Sequence, residues 1–129
     1  MDTETLIDRA IEAKSNSYCP YSKFAVGAAL LTDSGAVYTG TNIENLVNSL
    51  SICAERVAIF KAISEGEREF EKLAVVCEGK YCRPCGSCRQ TLYEHAPDLT
   101  VIMANTSGDY QIVSLSGLLP QAFRLENTG

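Results

Sequence analysis

The chain has 129 residues, 46% of them hydrophobic and 21% charged, which is an ordinary composition for one globular domain with a buried core. Its formal net charge of −5, with both signs interspersed and no Lys/Arg block, argues against a nucleic-acid partner, because a phosphate backbone selects a concentrated basic surface. No run approaches the roughly 20 apolar residues of a membrane span, and the first ten residues lack the basic-then-apolar order of an export signal, so a cytoplasmic protein without membrane association is expected.

Leu6, Ile7, Ala10, Ile11 and Ala13 recur at helical spacing behind Thr3 and Glu4, which predicts a helix over roughly 3–16. The apolar run 24–32 is ended by Asp33-Ser34-Gly35 and resumed at 36–41, a strand hairpin in which Gly27 signals a close backbone approach. From Cys53 to about Ser64 apolar residues cover most faces of a helical pattern that stops at Gly66, so this helix is expected to be central and buried. Leu73 to Cys77 reads as an interior strand, and Pro84 as the first residue of a helix reaching about Glu94. A strand near 100–104, the turn Asn105 to Asp109, a strand near 110–114 and a short terminal helix broken at Pro120 complete the chain. The order predicts one mixed sheet with helices on both faces, and no linker or repeat divides residues 1–129, so a single domain is expected.

Without an export signal the six cysteines are expected to be free thiols, available for metal or catalysis. Zinc takes thiolate or imidazole ligands, and a catalytic site uses three of them so that water can occupy the fourth position. Pro84-Cys85-Gly86-Ser87-Cys88 puts two sulfurs about one turn apart at a helix start, and Cys53-Ala54-Glu55 opens another helix. Cys53, Cys85 and Cys88 are therefore the candidate ligands of one zinc ion, with Glu55 as the candidate acid–base group. Three thiolates leave a zinc site with formal charge −1, which two helix N-termini and a hydrogen bond from Arg56 would offset. Arg56 as a surface ion-pair partner is the alternative.

Cys82 supplies a rival, since 82–88 also reads Cys-x-x-Cys-x-x-Cys and a fourth sulfur would close the site to water. An iron–sulfur cluster is a variant of that reading, although its usual spacing wants a further cysteine where Leu92 stands. Glu55, which has no purpose in a closed site, favours the open one. Cys19 and Cys77 lack ligand-spaced partners, Cys77 being expected in the core, and His95 is expected to cap a helix end.

Several motifs give the chain its resemblance to the cytidine deaminase family, in particular to its small homotetrameric branch with three cysteine ligands. They are Cys-Ala-Glu-Arg at 53–56, Pro-Cys-Gly-Ser-Cys-Arg-Gln at 84–90, Pro-Tyr-Ser-Lys-Phe at 20–24, Val-Gly-Ala-Ala at 26–29, Asn-Ile-Glu-Asn at 42–45 and Leu-Leu-Pro-Gln-Ala-Phe at 118–123. The resemblance implies a three-layer α/β/α sandwich with a mixed five-stranded sheet, one zinc per subunit, and a homotetramer whose active sites lie between subunits. It implies hydrolytic deamination of cytidine and 2′-deoxycytidine, with Glu55 moving protons among the attacking water, ring N3 and the departing amino group. Asn42 and Glu44 would bind the ribose, Phe24 would line the pocket, the Ala54 N–H would receive the ring carbonyl, and Phe123 would pack on the base of another subunit. Read without the resemblance, Phe24 and Phe123 are core residues and 42–44 is a turn.

Leu46-Val47-Asn48 departs from the family's small residues followed by Tyr, and Cys82-Arg83 from its apolar residue and Ser. The first departure keeps open a modified cytosine nucleoside, such as an N4-substituted cytidine or blasticidin S, as substrate. A non-enzymatic zinc or redox thiol module closed by Cys82 is the reading from a different class.

Overall fold

In the computed structural model, which describes residues 1–125, the alternation of side chains along five strands builds two cores on opposite faces of one sheet. The strands are β1 (Gly27–Thr32), β2 (Val37–Thr41), β3 (Phe70–Cys77), β4 (Thr100–Asn105) and β5 (Tyr110–Ser114), in the spatial order β2-β1-β3-β4-β5. The β3–β4 pair is parallel and the other three pairings are antiparallel, so the sheet is mixed as expected.

Ala29 and Leu31 of β1, Ala74 and Val76 of β3, and Ile102 and Ala104 of β4 pack against Leu6, Ile7 and Ala10 of α1 (Thr3–Lys14). The alternate residues Ala28, Leu30, Leu73, Val75, Val101 and Met103 face the opposite layer. That layer consists of α2 (Ala54–Ser64), α3 (Gly86–His95) and the single turn α4 (Leu115–Leu118), which contribute Ala58, Ile59, Leu92 and Leu115. Full burial of each large aliphatic side chain contributes roughly 1.5–3 kcal/mol, and the result is the three-layer α/β/α sandwich.

Two glycines set the distance between helices and sheet. A methyl at Gly27 would overlap the carbonyl oxygen of Ala10, and one at Gly40 would overlap that of Ala54 and stand 2.7 Å from the Ala58 nitrogen. The close approach expected at Gly27 is present; the equivalent at Gly40 has no sequence signal beyond the residue itself.

Element boundaries differ from expectation for local reasons. β1 starts at Gly27 because Phe24 and Val26 hydrogen-bond the Asn42 side chain. β3 starts at Phe70, three residues early, since its half-exposed polar flank pairs with Leu31 and Thr32 across a bulge. Pro84 lies outside α3, because Cys85 takes the extended N-cap conformation (φ −70°, ψ 168°) and Gly86 is the first helical residue. The terminal helix ends at Leu118, before Pro120, and a single 3₁₀ turn at Asn48–Leu50 was not foreseen.

Candidate metal centre and pocket

Two helix starts meet at the edge of the α2–α3 layer. Cys53 is the N-cap of α2, with extended backbone at φ −83° and ψ 156°, so Glu55 is only the second helical residue. Cys85 is the N-cap of α3, and its Sγ accepts the backbone N–H of Cys88 at 3.4 Å. The sulfurs of Cys53 and Cys85 are 3.8 Å apart, those of Cys85 and Cys88 3.3 Å, and all three lie within 4.8 Å of one another. Tetrahedral zinc with Zn–S bonds of about 2.3 Å spaces its sulfurs by about 3.8 Å, so the three fit that ion with one position left over. No other His, Cys, Asp or Glu among the described residues joins the group.

The electrostatics suit such a centre. The Cys53 thiol is pushed down to about 5, first by hydrogen bonding from Cys88 and then by Arg56, whose Nη2 lies 3.6 Å from the sulfur. Cys88 is pushed up, by its hydrogen bond with Cys53 and then by burial. Glu55, 4% exposed, is raised to about 7 by burial, with a further push from the Cys53 charge. Arg56 is therefore placed on a sulfur and not in a surface ion pair, while its buried Nε has no partner.

The rival fourth ligand is elsewhere. Cys82 is buried in the core, its N–H bonded to the Ala104 carbonyl at 3.1 Å, and burial, followed by the neighbouring Cys77, pushes its thiol up. The turn in direction at Arg83-Pro84 carries it away from Cys85, and a closed four-sulfur site does not form. Cys77 is in the core as expected, and His95 ends α3 at the opposite end from Cys85, 4.0 Å from the Glu94 carboxylate.

The expected ribose residues form a loop-holding network. Asn42 Oδ1 accepts from the Ser17 hydroxyl at 2.6 Å and from the Val26 N–H at 2.9 Å, while Nδ2 donates to the Phe24 carbonyl at 2.7 Å. Those partners fix the amide orientation and leave one N–H hydrogen free of them. Glu44 Oε1 accepts from the N–H groups of Tyr21 and Ser22 at 3.0 and 3.1 Å. Phe24 and Phe123 are exposed, so neither is the core residue that a reading without the resemblance expects. Ala54 is buried at the first helical position, where its N–H has no intrahelical acceptor. Phe123 is 72% exposed and lies beside Tyr93, Glu94 and Pro97, toward the C-terminal end of α3, not at the cysteines of its own chain.

Sequence reasoning missed two groups. Ser17 carries no motif. Arg89 donates from Nε to the Pro84 carbonyl at 2.8 Å and from Nη1 to the Leu118 carbonyl at 2.9 Å, and Gln90 donates to the Phe123 carbonyl at 2.9 Å. Arg89-Gln90 closes the second cysteine motif, but main-chain acceptors have no signature in sequence.

A thiolate metal centre at two helix starts, with a buried carboxylate beside it on an α/β/α sandwich, defines a hydrolytic metal site. Residues 1–104 match the model of the cytidine and deoxycytidylate deaminase zinc-binding region, and the chain belongs to that family. It is 49% identical to a cytidine deaminase of Halalkalibacterium halodurans over 129 residues, covering 98% of each chain. It is 46% identical to a cytidine deaminase of Sporosarcina psychrophila, covering 98% of this chain and 95% of that one. The crystal structure of cytidine deaminase from Burkholderia pseudomallei superposes with a TM-score of 0.93 at 45% identity, covering 95% of this chain and 100% of that chain. Zinc is the cofactor of this family's site, and the three-sulfur group fits it.

Proposed function

We propose that the chain hydrolyses cytidine and 2′-deoxycytidine to uridine and 2′-deoxyuridine with release of ammonia, a step of pyrimidine salvage, and that residues 1–129 act as one domain. The observation that carries the reading is the buried Glu55 carboxylate placed two positions beyond the N-cap of α2, beside three converging sulfurs.

Cys53, Cys85 and Cys88 would hold the zinc, whose chemistry when bound would be to polarise a water so that its deprotonation moves toward neutral pH. Glu55 manages the protons. Raised to about 7, its carboxyl can accept a proton from the attacking water and give it up again near neutral pH. It would deliver that proton to ring N3, which makes C4 electrophilic, and, once the water oxygen has added at C4, take that oxygen's second proton and pass it to the amino group as ammonia leaves and the C4 carbonyl forms. Arg56 tempers the thiolate charge through Cys53. The Ala54 N–H receives the ring carbonyl, the remaining Asn42 N–H and the Glu44 carboxylate take ribose hydroxyls, and Phe24 lines the base pocket.

A homotetramer accounts for Phe123, whose exposed ring lies away from its own cysteines and is free to close a neighbour's pocket. The apolar surface at Tyr18, Tyr21, Leu46 (84% exposed), Val47 and Leu50 gives such an assembly area to bury. Six free thiols suit the reducing cytoplasm.

Ammonia release from cytidine, deoxycytidine and N4-substituted cytidines, with and without a chelator, tests the reading. Chelator-sensitive release from the first two supports it. Zinc-loaded protein that releases none from any substrate overturns it, and preference for an N4-substituted substrate replaces it with the modified-nucleoside reading.

A further inference from the structure

Arg89 is the fourth residue of α3, and its planar guanidinium spans two main-chain carbonyls that no regular element satisfies. One belongs to buried Pro84, directly before Cys85; the other belongs to Leu118, the last residue of α4. A buried carbonyl needs a donor, and two donors in a fixed fork can hold two carbonyls in one relative geometry. The next side chain, Gln90, grips the carbonyl of Phe123. Consecutive residues of the helix that presents Cys85 and Cys88 thus hold both ends of the segment 118–123.

We propose that Arg89, assisted by Gln90, is a positioning residue that makes the Cys85 loop and the C-terminal segment one mechanical unit. The segment then fixes where Cys85 stands, and the loop fixes where the Phe123 ring is offered. The part concerning Phe123 rests on the deaminase reading, whereas the part concerning Cys85 does not. A lysine keeps the charge but cannot span both carbonyls, which separates geometry from electrostatics.

The test uses full-length zinc-loaded wild type, Arg89→Lys, Gln90→Ala, Phe123→Ala and the Arg89→Lys/Phe123→Ala double variant. Zinc release to a chromogenic chelator, amide hydrogen exchange at Leu119 and 121–123, and kcat and KM for cytidine are measured. Arg89→Lys is expected to release zinc about tenfold faster, at the low end of supporting-residue effects on metal sites, and to lose exchange protection across the segment. Its KM should rise, and the double variant should have a KM no higher than Phe123→Ala alone, because both changes remove one contribution. Wild-type zinc release and protection in Arg89→Lys would overturn the proposal, as would KM effects that multiply fully. If Arg89→Lys does not fold, Gln90→Ala decides: faster exchange at 121–123 supports the unit, and unchanged exchange overturns it. If wild type deaminates nothing, the functional reading fails while zinc release and exchange still judge the clamp.

Discussion

Ser17 and Asn42 meet through a 2.6 Å hydrogen bond from the serine hydroxyl to the amide oxygen, across 25 residues of chain. The same amide holds Val26 and Phe24, so one side chain shapes the loop between α1 and β1. Asn42→Ala strands those loop groups and is expected to cost about 1–2 kcal/mol, against about 1 kcal/mol for Ser17→Ala. Urea midpoints at unchanged m-value check the order. A KM increase for cytidine in Asn42→Ala would accompany it.

Glu55→Gln keeps the shape of the side chain and removes its proton traffic. Zinc content and secondary structure should match wild type, while kcat falls by on the order of 10²–10⁴. Turnover within a few fold of wild type would remove Glu55 from the mechanism.

Cys85→Ala and Cys82→Ala should separate cleanly. The first deletes a member of the sulfur group and an N-cap, so zinc per chain should fall well below one. The second only trims the core and should retain full zinc at a cost of about 1 kcal/mol. Metal analysis after gel filtration distinguishes them, and zinc loss in Cys82→Ala would revive the four-sulfur reading.

Glu44 carries a pH signature. Hydrogen bonds from Ser22, and then from the Tyr21 N–H, hold its carboxyl below the ordinary value of 4.5. A depressed folded-state pKa favours folding above the unfolded value, and that contribution disappears as pH falls through the folded one. The stability gap between wild type and Glu44→Gln should therefore be constant above pH 5 and shrink below about 4.5. Denaturation midpoints between pH 7 and 3 measure it.

Gly40→Ala places a methyl against the backbone of Ala54 and Ala58, which cannot rotate away. Displacing α2 should cost about 1–3 kcal/mol and weaken zinc binding, because Cys53 caps that helix. Thermal shift with and without added zinc reads both effects. Unchanged melting would mean that α2 moves freely on the sheet.

The three-sulfur group was legible because it rests on side-chain types at short spacing, Cys85 to Cys88 and the Cys53-Ala54-Glu55 run at a second helix start. Helices on both faces of a mixed sheet were legible from the order of the elements, and the strands divide their apolar residues between those two faces. What stayed hidden depends on main-chain partners. Phe70 to Lys72 join β3 through ladder bonds despite their polar flank, and Pro84 stays outside α3 because Cys85 prefers to cap it. The Leu118 carbonyl that Arg89 finds is one acceptor among many in the sequence. Asn42 and Glu44 were expected to bind ribose; what the structure shows is their hold on the loop at 17–26, which residue type alone does not reveal.

Both cap positions that carry sulfur lie at helix starts, and helix ends open more readily than helix middles. A metal ion held by Cys53 and Cys85 would therefore fasten two fraying points to each other without being part of the sheet's own ladder. Its escape can proceed by the opening of two helical turns with β1, β3 and β4 still paired. How long the protein keeps its ion would then be a property of local breathing, separable from the temperature at which the whole domain melts.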